Sequence, residues 1–201
     1  MGTSCSLSVG QQKIGPVIVA ATPDRRDDVL TVLGAKGDAA RCQCQWFRLR
    51  NAEYRASTVD DRRDALCEQL AGPVPPGVVG YDDTGTPVGW CAVAPRADYP
   101  RLDTAVLARA TDEVAGLWVV SCFVVRVGSR RQGMSAELLD GAVELARQHG
   151  ATVLEAYPVD LAVQSVSSAE LYHGALSTFL GAGFSEVARP KPSRPTVRLT
   201  L

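Results

Sequence analysis

The chain has 201 residues, 46% of them hydrophobic and 21% charged, with a formal net charge of −1. That length suits one globular domain around a single core and is short for two. The near-neutral balance excludes a global attraction to nucleic acid, and no apolar run is long enough to span a membrane, so any anion must be held by a local site.

Residues 1–15 are small and polar and read as a loose tail before one domain over residues 16–201. The opening MGTSCSLSVG lacks a basic segment followed by an apolar stretch, so it does not read as a secretion signal. Its Gly2 and Ser6 match a myristoylation pattern that is common by chance. Without a secretion signal, Cys5, Cys42, Cys44, Cys67, Cys91 and Cys122 read as reduced thiols and the chain as cytoplasmic. Residues 16–21 form a strand by pattern. Thr22 and Pro23 then open a helix that Gly34 ends. Residues 41–54, RCQCQWFRLRNAEY, follow no clear period. Residues 60–70 are an amphipathic helix stopped by Gly72 and the Pro75–Pro76 pair. Two apolar runs, 78–81 and 87–93, flank DDTGT as a hairpin. Residues 94–109 read as a loop with a helical turn.

Leu117 to Val125, LWVVSCFVV, is nearly all apolar, the pattern of a strand covered on both faces. Residues 134–149 make a clear amphipathic helix, with Met134, Leu138, Ala142, Leu145 and Ala146 on its apolar stripe and Gly150 at its end. Residues 152–157 form another strand. Ser167 and Glu170 have capping-box spacing and open a helix through Leu180, closed by Gly181 and Gly183. Residues 185–189 and 196–201 can pair as closing strands. This order describes a mixed α/β domain around a central sheet.

The junction 125–135, VRVGSRRQGMS, joins the buried strand to the amphipathic helix through a short turn rich in glycine and arginine. Backbone N–H groups at a helix start lack internal partners, point outward together and carry partial positive charge, so they suit a phosphate or pyrophosphate. Gly133 permits close approach, Ser135 is small, and Arg126, Arg130 and Arg131 add charge. A nucleoside-triphosphate P-loop is absent. A dinucleotide fingerprint lacks two of its three glycines, although Glu155 lies about twenty residues on, where that pattern wants an acid.

Arg130-x-x-Gly133-x-Ser135 resembles the Arg/Gln-x-x-Gly-x-Gly/Ala signature of the GNAT (Gcn5-related N-acetyltransferase) family, with Ser135 a conservative departure. The resemblance extends over the strand from Leu117, the helix after the turn, the strand near Thr152 and the stretch to Gly183-Phe184. It implies a GNAT-like fold: a mixed, mostly antiparallel central sheet flanked by helices and splayed at the acyl-CoA site. It implies coenzyme A binding by Arg130, Arg131, Gln132, Gly133, Met134 and Ser135, with backbone groups of Val124 and Val125 along the pantetheine arm. It implies acetyl-CoA as cosubstrate. The acetyl group would pass to a small-molecule or peptide amine by direct attack on a thioester lying between the strands 117–125 and 152–157. No nucleic-acid or membrane partner follows, and a homodimer is compatible with it.

Two departures from the family pattern bear on catalysis. The slot of the frequent general-base glutamate is Val119. Ser121 shares its face by period-two alternation and could relay a proton through water. Glu155, Asp160 and Glu170 are nearby carboxylates that the sequence does not rank. The slot of the frequent tyrosine acid is Phe179. Tyr172 lies on the same face of the expected helix, with residues 176 and 179, and is the candidate donor to the CoA thiolate; a plain core role is the competing reading. These departures keep open a second class, a binding protein that holds acyl-CoA with little turnover.

Cys42-x-Cys44-x-Trp46, with Gly89-Trp90-Cys91 later, lies in the part least like the family core. Its spacing is tight for zinc and only two histidines are available, so no metal is expected. The thiols read as small buried hydrophobes or as lining of the acceptor pocket.

Overall fold

The computed structural model describes residues 15–108, 111, 112, 114–167 and 170–201. The expected tail falls almost wholly outside the described residues, as does Arg109 at the end of the expected loop. Among the described residues, β1 (Val17–Ala20), β2 (Gly77–Tyr81), β3 (Pro87–Pro95), β4 (Leu117–Val125), β5 (Val153–Ala156), β6 (Ser185–Lys191) and β7 (Arg194–Thr200) form one sheet in the order β1-β2-β3-β4-β5-β7-β6. Every pairing is antiparallel except β4 with β5. That exception follows from the connection: α5 (Met134–Gln148) crosses from the end of β4 back to the start of β5, and a crossover delivers parallel strands.

The apolar run of β4 needs cover on two sides, and it has it. Trp118, Val120 and Phe123 face the core under α5, with Leu138, Leu139, Ala142 and Leu145. The opposite face packs on α1 (Arg26–Leu33) and α4 (Val59–Leu70), where Val29, Leu66 and Leu70 meet Val79, Trp90 and Ala92. A third cluster, with Phe47, Tyr99, Leu102, Val119 and Tyr157, fills that face toward β5.

Several elements differ from the sequence reading. Thr22 does not cap a helix: its hydroxyl bonds Asp24, Pro23–Arg25 is a 3-10 turn, and α1 begins at Arg26. The aperiodic stretch contains α2 (Gly37–Cys42), a tight turn, and α3 (Asn51–Ala56). Helices this short bury too few residues to print a period. Residues 94–109 carry strand to Pro95 and then two 3-10 turns, Arg96–Asp98 and Pro100–Thr104. The expected helix from Ser167 to Leu180 is two pieces, a 3-10 turn over Glu170–His173 and α6 (Leu176–Gly181). The break is at Gly174, which sits at φ 78°, and at Ala175, which bridges Val159. A left-handed residue cannot continue an α-helix. Tyr172 therefore does not share a helical face with residues 176 and 179.

One buried charge ties β5 to β7. Glu155 is 1% exposed and lies directly across from Arg198 in the β5–β7 register. It accepts Arg198 Nε at 2.7 Å, Thr111 Oγ1 at 2.8 Å and the Tyr157 hydroxyl. A buried carboxylate with three donors is satisfied; removing it strands the guanidinium. Glu155→Ala is expected to lower stability by about 3 kcal/mol or more, read by urea denaturation. Glu155→Gln, which keeps the shape and an acceptor, should lose less.

Candidate functional site

β4 and β5 are paired at four positions, from Leu117 with Val153 to Val120 with Ala156. Beyond Val120, β4 runs on to Val125 paired with β3, while β5 ends at Ala156. The strands part there, and one edge of β4 is left without a ladder partner. The register with β3 slips at the same place: Ala92 faces Cys122 and Val93 faces Val120, so Ser121 is an extra residue, a β-bulge. Because of it Val119 and Ser121 face the cluster with Tyr99, as alternation predicts, and Cys122 and Val124 face that side too, toward Trp90 and Ala92.

The turn after β4 is braced by its own side chains. Val127–Ser129 is a 3-10 turn. Arg130 Nε donates to the Val125 carbonyl at 2.9 Å, and Gln132 Nε2 donates to the Gly128 carbonyl at 3.0 Å. Gly133 caps α5 at φ 86°, and a Cβ built there meets nothing within 4 Å. The N–H groups of Ala136 and Glu137 both bond the Gly133 carbonyl, so those of Met134 and Ser135 precede the first helical bond. Arg126, Arg130 and Arg131 are exposed and take part in none of the ion pairs among the described residues. The result is a braced, cationic turn at a helix start. Met134 contributes backbone only, since its side chain is buried against Gly80 and Gly89. The Arg126 N–H bonds Val88 of β3, so by antiparallel alternation Val125 presents its backbone to the open edge and Val124 presents its own to β3.

Ser121 is 2% exposed and donates to the Tyr99 hydroxyl at 3.1 Å; burial pushes Tyr99 up to about 12. A relay from Ser121 would have to pass through that phenol. No carboxylate stands at Val119. Across from it, Glu155 is committed to its three donors, Asp160 pairs with Arg189 at 2.8 Å, and Glu170 accepts the Ser167 N–H and hydroxyl. Tyr172 is partly buried on the 3-10 turn that packs against β4. Burial pushes its hydroxyl up, and it feels the charges of Arg194 and Arg101 and the thiols of Cys122 and Cys42. It packs beside the cluster of Phe47, Tyr99 and Leu102, with its ring centre 4.1 Å from that of His173.

The segment 42–54 packs beside the turn that carries Tyr172, with the Phe47 ring centre 5.5 Å from that of His173. Gln43 and Cys44 take left-handed φ of 49° and 54° and reverse the chain between α2 and Trp46. Side-chain amides hold that reversal: Gln43 Nε2 donates to the Ala40 carbonyl at 2.7 Å, and Gln45 exchanges two bonds with Gln69 of α4. Trp90 Nε1 donates to Cys44 Sγ at 2.9 Å. Arg101 lies flat on Trp46, its guanidinium carbon 3.9 Å from the ring centre, and donates Nε to the Leu49 carbonyl at 3.0 Å. The pairing of Cys44 with Trp90 and Cys122 is not legible in the sequence. Both cysteine motifs are visible there, but the bulge that swings Cys122 toward Cys44 is not. Among the described residues no group of three or more His, Cys, Asp or Glu is arranged to hold a metal, and no helix is long and apolar enough to cross a membrane.

Comparison with known proteins fits this geometry. Residues 44–174 match the model of the acetyltransferase (GNAT) family. No curated protein matches the chain. Among solved structures, YncA of Salmonella typhimurium, solved with its cofactor acetyl-CoA, is 15% identical with a TM-score of 0.54, covering 93% of this chain and 94% of that one. The PaiA N-acetyltransferase of Thermoplasma acidophilum, in complex with coenzyme A, is 10% identical with a TM-score of 0.51, covering 94% and 100%. The ribosomal-protein-alanine N-acetyltransferase of Brucella melitensis is 16% identical with a TM-score of 0.53, covering 92% and 99%. At these identities the structures share the fold. The chain belongs to the GNAT acetyltransferase family, and its mixed sheet flanked by helices is the GNAT fold.

His173, next to Tyr172, is 5% exposed, and its Nδ1 has no partner among the described residues. Desolvation holds it down to about 3 from an ordinary 6.5, so it is neutral in the folded chain. Between those values the unfolded chain binds the extra proton. Its contribution to stability is therefore complete above about 6.5 and is lost as pH falls toward 3. His173→Phe is expected to flatten the fall of denaturation midpoint between about pH 6.5 and 5, above the range where carboxylates dominate.

Proposed function

We propose that this acetyltransferase is an N-acetyltransferase, using acetyl-CoA with a small-molecule or peptide amine as acceptor, and that the turn 126–135 is its coenzyme site. The observation that carries the reading is Gly133: a left-handed residue at the start of α5, with open space where a side chain would stand and three exposed arginines beside it. The N–H groups at the helix start and the guanidinium of Arg130 or Arg131 would hold the pyrophosphate. The thioester supplies an activated acyl carbon. Val125 would meet the pantetheine arm through its N–H at the open edge of β4, with Val124 behind it. The parting of β4 and β5 would then admit the thioester, and the wall made by residues 42–54 would close the acceptor side. The site's contribution is position and exclusion of water.

Tyr172 is our candidate donor to the departing CoA thiolate, as it sits on the turn packed against β4 and burial pushes its hydroxyl up. Ser121 is a weaker candidate for proton relay because Tyr99 already takes its hydroxyl. A cytoplasmic location is consistent with this reading.

Calorimetry with CoA and acetyl-CoA tests the site. Gly133→Glu should abolish binding, because a side chain and a like charge enter the proposed pyrophosphate site. Arg130→Ala should weaken it by about 1.5–3 kcal/mol, the worth of a hydrogen bond to a charged group. A wild-type chain that binds no CoA would refute the site. Binding without CoA thiol release from a broad amine panel would favour an acyl-CoA binding protein.

Turnover tests the donor. Tyr172→Phe should lower it about tenfold or more with CoA affinity unchanged, and should move the high-pH limb of the rate profile. Wild-type turnover in that variant, with Tyr172→Ala losing stability, would make Tyr172 a packing residue.

A further inference from the structure

Four buried side-chain polar atoms have no hydrogen-bond partner among the described residues, and three of them gather around Tyr172: Arg101 Nη2, Arg194 Nη1 and His173 Nδ1. His173 is the next residue along the chain. Arg101 donates its backbone N–H to the carbonyl of Phe47, whose ring centre is 5.5 Å from that of His173. Arg194 is brought in by β7. The Val159 N–H bonds the Gly174 carbonyl and the Asp160 N–H bonds the Ser193 carbonyl, each at 2.9 Å, so residues 159–160 tie the turn of His173 to the start of β7. The charges of both guanidinium groups reach the Tyr172 hydroxyl. Tyr172 and Phe47 belong to the cluster that holds Tyr99 and Val119, on the acceptor side of the proposed thioester site.

Neither arginine is neutralised. Arg101 is 7% exposed, and neither it nor Arg194 takes part in an ion pair among the described residues. The Arg101 guanidinium donates Nε to the Leu49 carbonyl and lies against the rings of Trp46 and Tyr54, at 3.9 and 5.2 Å from their centres. Rings attract a cation through its face and offer no acceptor in the plane where its N–H groups point. Arg62 shows how a structural arginine is satisfied in the same neighbourhood. It is as buried and also lies over Tyr54, yet it donates to the carbonyls of Arg41, Tyr54 and Ser57 and to the Ser57 hydroxyl. Arg48, over Tyr99, has Asp98 as its ion-pair partner. The carboxylate that feels Arg194, Glu170, already accepts the Ser167 N–H and hydroxyl. A desolvated cationic donor with no acceptor is costly, and a ligand oxygen would offset that cost.

We propose that Arg101 and Arg194 bind a carboxylate carried by the acceptor itself, so that the substrates are amines bearing a carboxylate; the inference deepens the N-acetyltransferase reading and rests on it. Arg101 Nη2 and Arg194 Nη1 donate to the carboxylate oxygens as charge-assisted bonds. A neutral imidazole donates from one of its nitrogens, so His173 can add a further bond. The stack on Trp46 and the bond to Leu49 fix the plane of the Arg101 guanidinium, and with it the direction from which the carboxylate is held. The amine of the same molecule then attacks the thioester directly, and the arginines take no part in making or breaking bonds. An amine without the carboxylate leaves these donors unpaired, which is the basis of selection against it.

The test uses the full chain and acetyl-CoA, with CoA thiol release followed for matched acceptors: free amino acids against their α-amides, and C-terminally amidated dipeptides ending in glutamate against those ending in glutamine. Within at least one of the two sets the acids are expected to exceed their amides in kcat/KM by about tenfold or more, as for hydrogen bonds to a charged group, with the difference in KM. Preference among the free amino acids assigns the site to an α-carboxylate, and preference among the dipeptides alone assigns it to a peptide side chain. Arg101→Gln and Arg194→Gln should each erase most of the preference, with CoA affinity unchanged by calorimetry. If Arg101→Gln does not fold, Arg194→Gln, at the partly exposed start of β7, carries the same test. Amides acetylated as well as the acids in both sets by the wild-type chain, or no carboxylate-bearing amine acetylated at all, overturns the proposal. So does an undiminished preference in folded Arg101→Gln and Arg194→Gln. A chain that binds no CoA fails earlier, in the calorimetry, and overturns the coenzyme site itself.

Discussion

The feature on which the rest of the structure depends is the loss of pairing between β4 and β5 after Val120 and Ala156. The crossover α5 returns the chain to the start of β5, so the two strands run parallel, paired over four positions. The bulge at Ser121 bends β4 at that point, and the chain after β5 leaves for the 3-10 turn at Glu170–His173. Backbone groups that a sheet would otherwise consume are left facing a cleft. The arginine-rich turn at residues 126–135 lies at one end of that edge, and the 3-10 turn that carries Tyr172 packs on β4 beside it.

Buried polar contacts anchor β5 beside that parting. Glu155 draws Arg198, Thr111 and Tyr157 together one step below it. The bond to Arg198 ties β5 to β7. The same commitment removes Glu155 from proton transfer, although it lies across from Val119. A carboxylate with three donors is a structural ion, and its position opposite an empty base slot does not make it a base. Asp160 and Glu170 are likewise tied to partners at the surface.

Much of the fold could be read from residues alone because its strongest signals are local. The stripe of Met134, Leu138, Ala142 and Leu145 repeats at helical spacing over fifteen residues, and all four are buried as that spacing requires. The continuous apolar run of β4 reports cover on two faces. The turn between them carries its chemistry in composition, glycine where the backbone turns left-handed and arginine where an anion would lie. Short elements were not legible. The pieces α2 and α3 bury few residues each, and the break at Gly174 is a backbone event inside a sequence whose capping signals, Ser167 and Glu170, are real but close only a 3-10 turn.

What the sequence by itself determined is therefore the fold class, the family signature at Arg130, Gly133 and Ser135, and the empty slots at Val119 and Phe179. These depend on neighbours along the chain, or on the spacing of a single motif. What only the tertiary structure decided is which side chains share the opening. A bulge of one residue turns Cys122 to the side of Cys44, 78 residues away by numbering, and a left-handed glycine frees Tyr172 from the helix that would have carried it elsewhere. Both are changes in direction of a few backbone dihedrals. They leave no period and no compositional trace, and yet they select the groups that meet at the site.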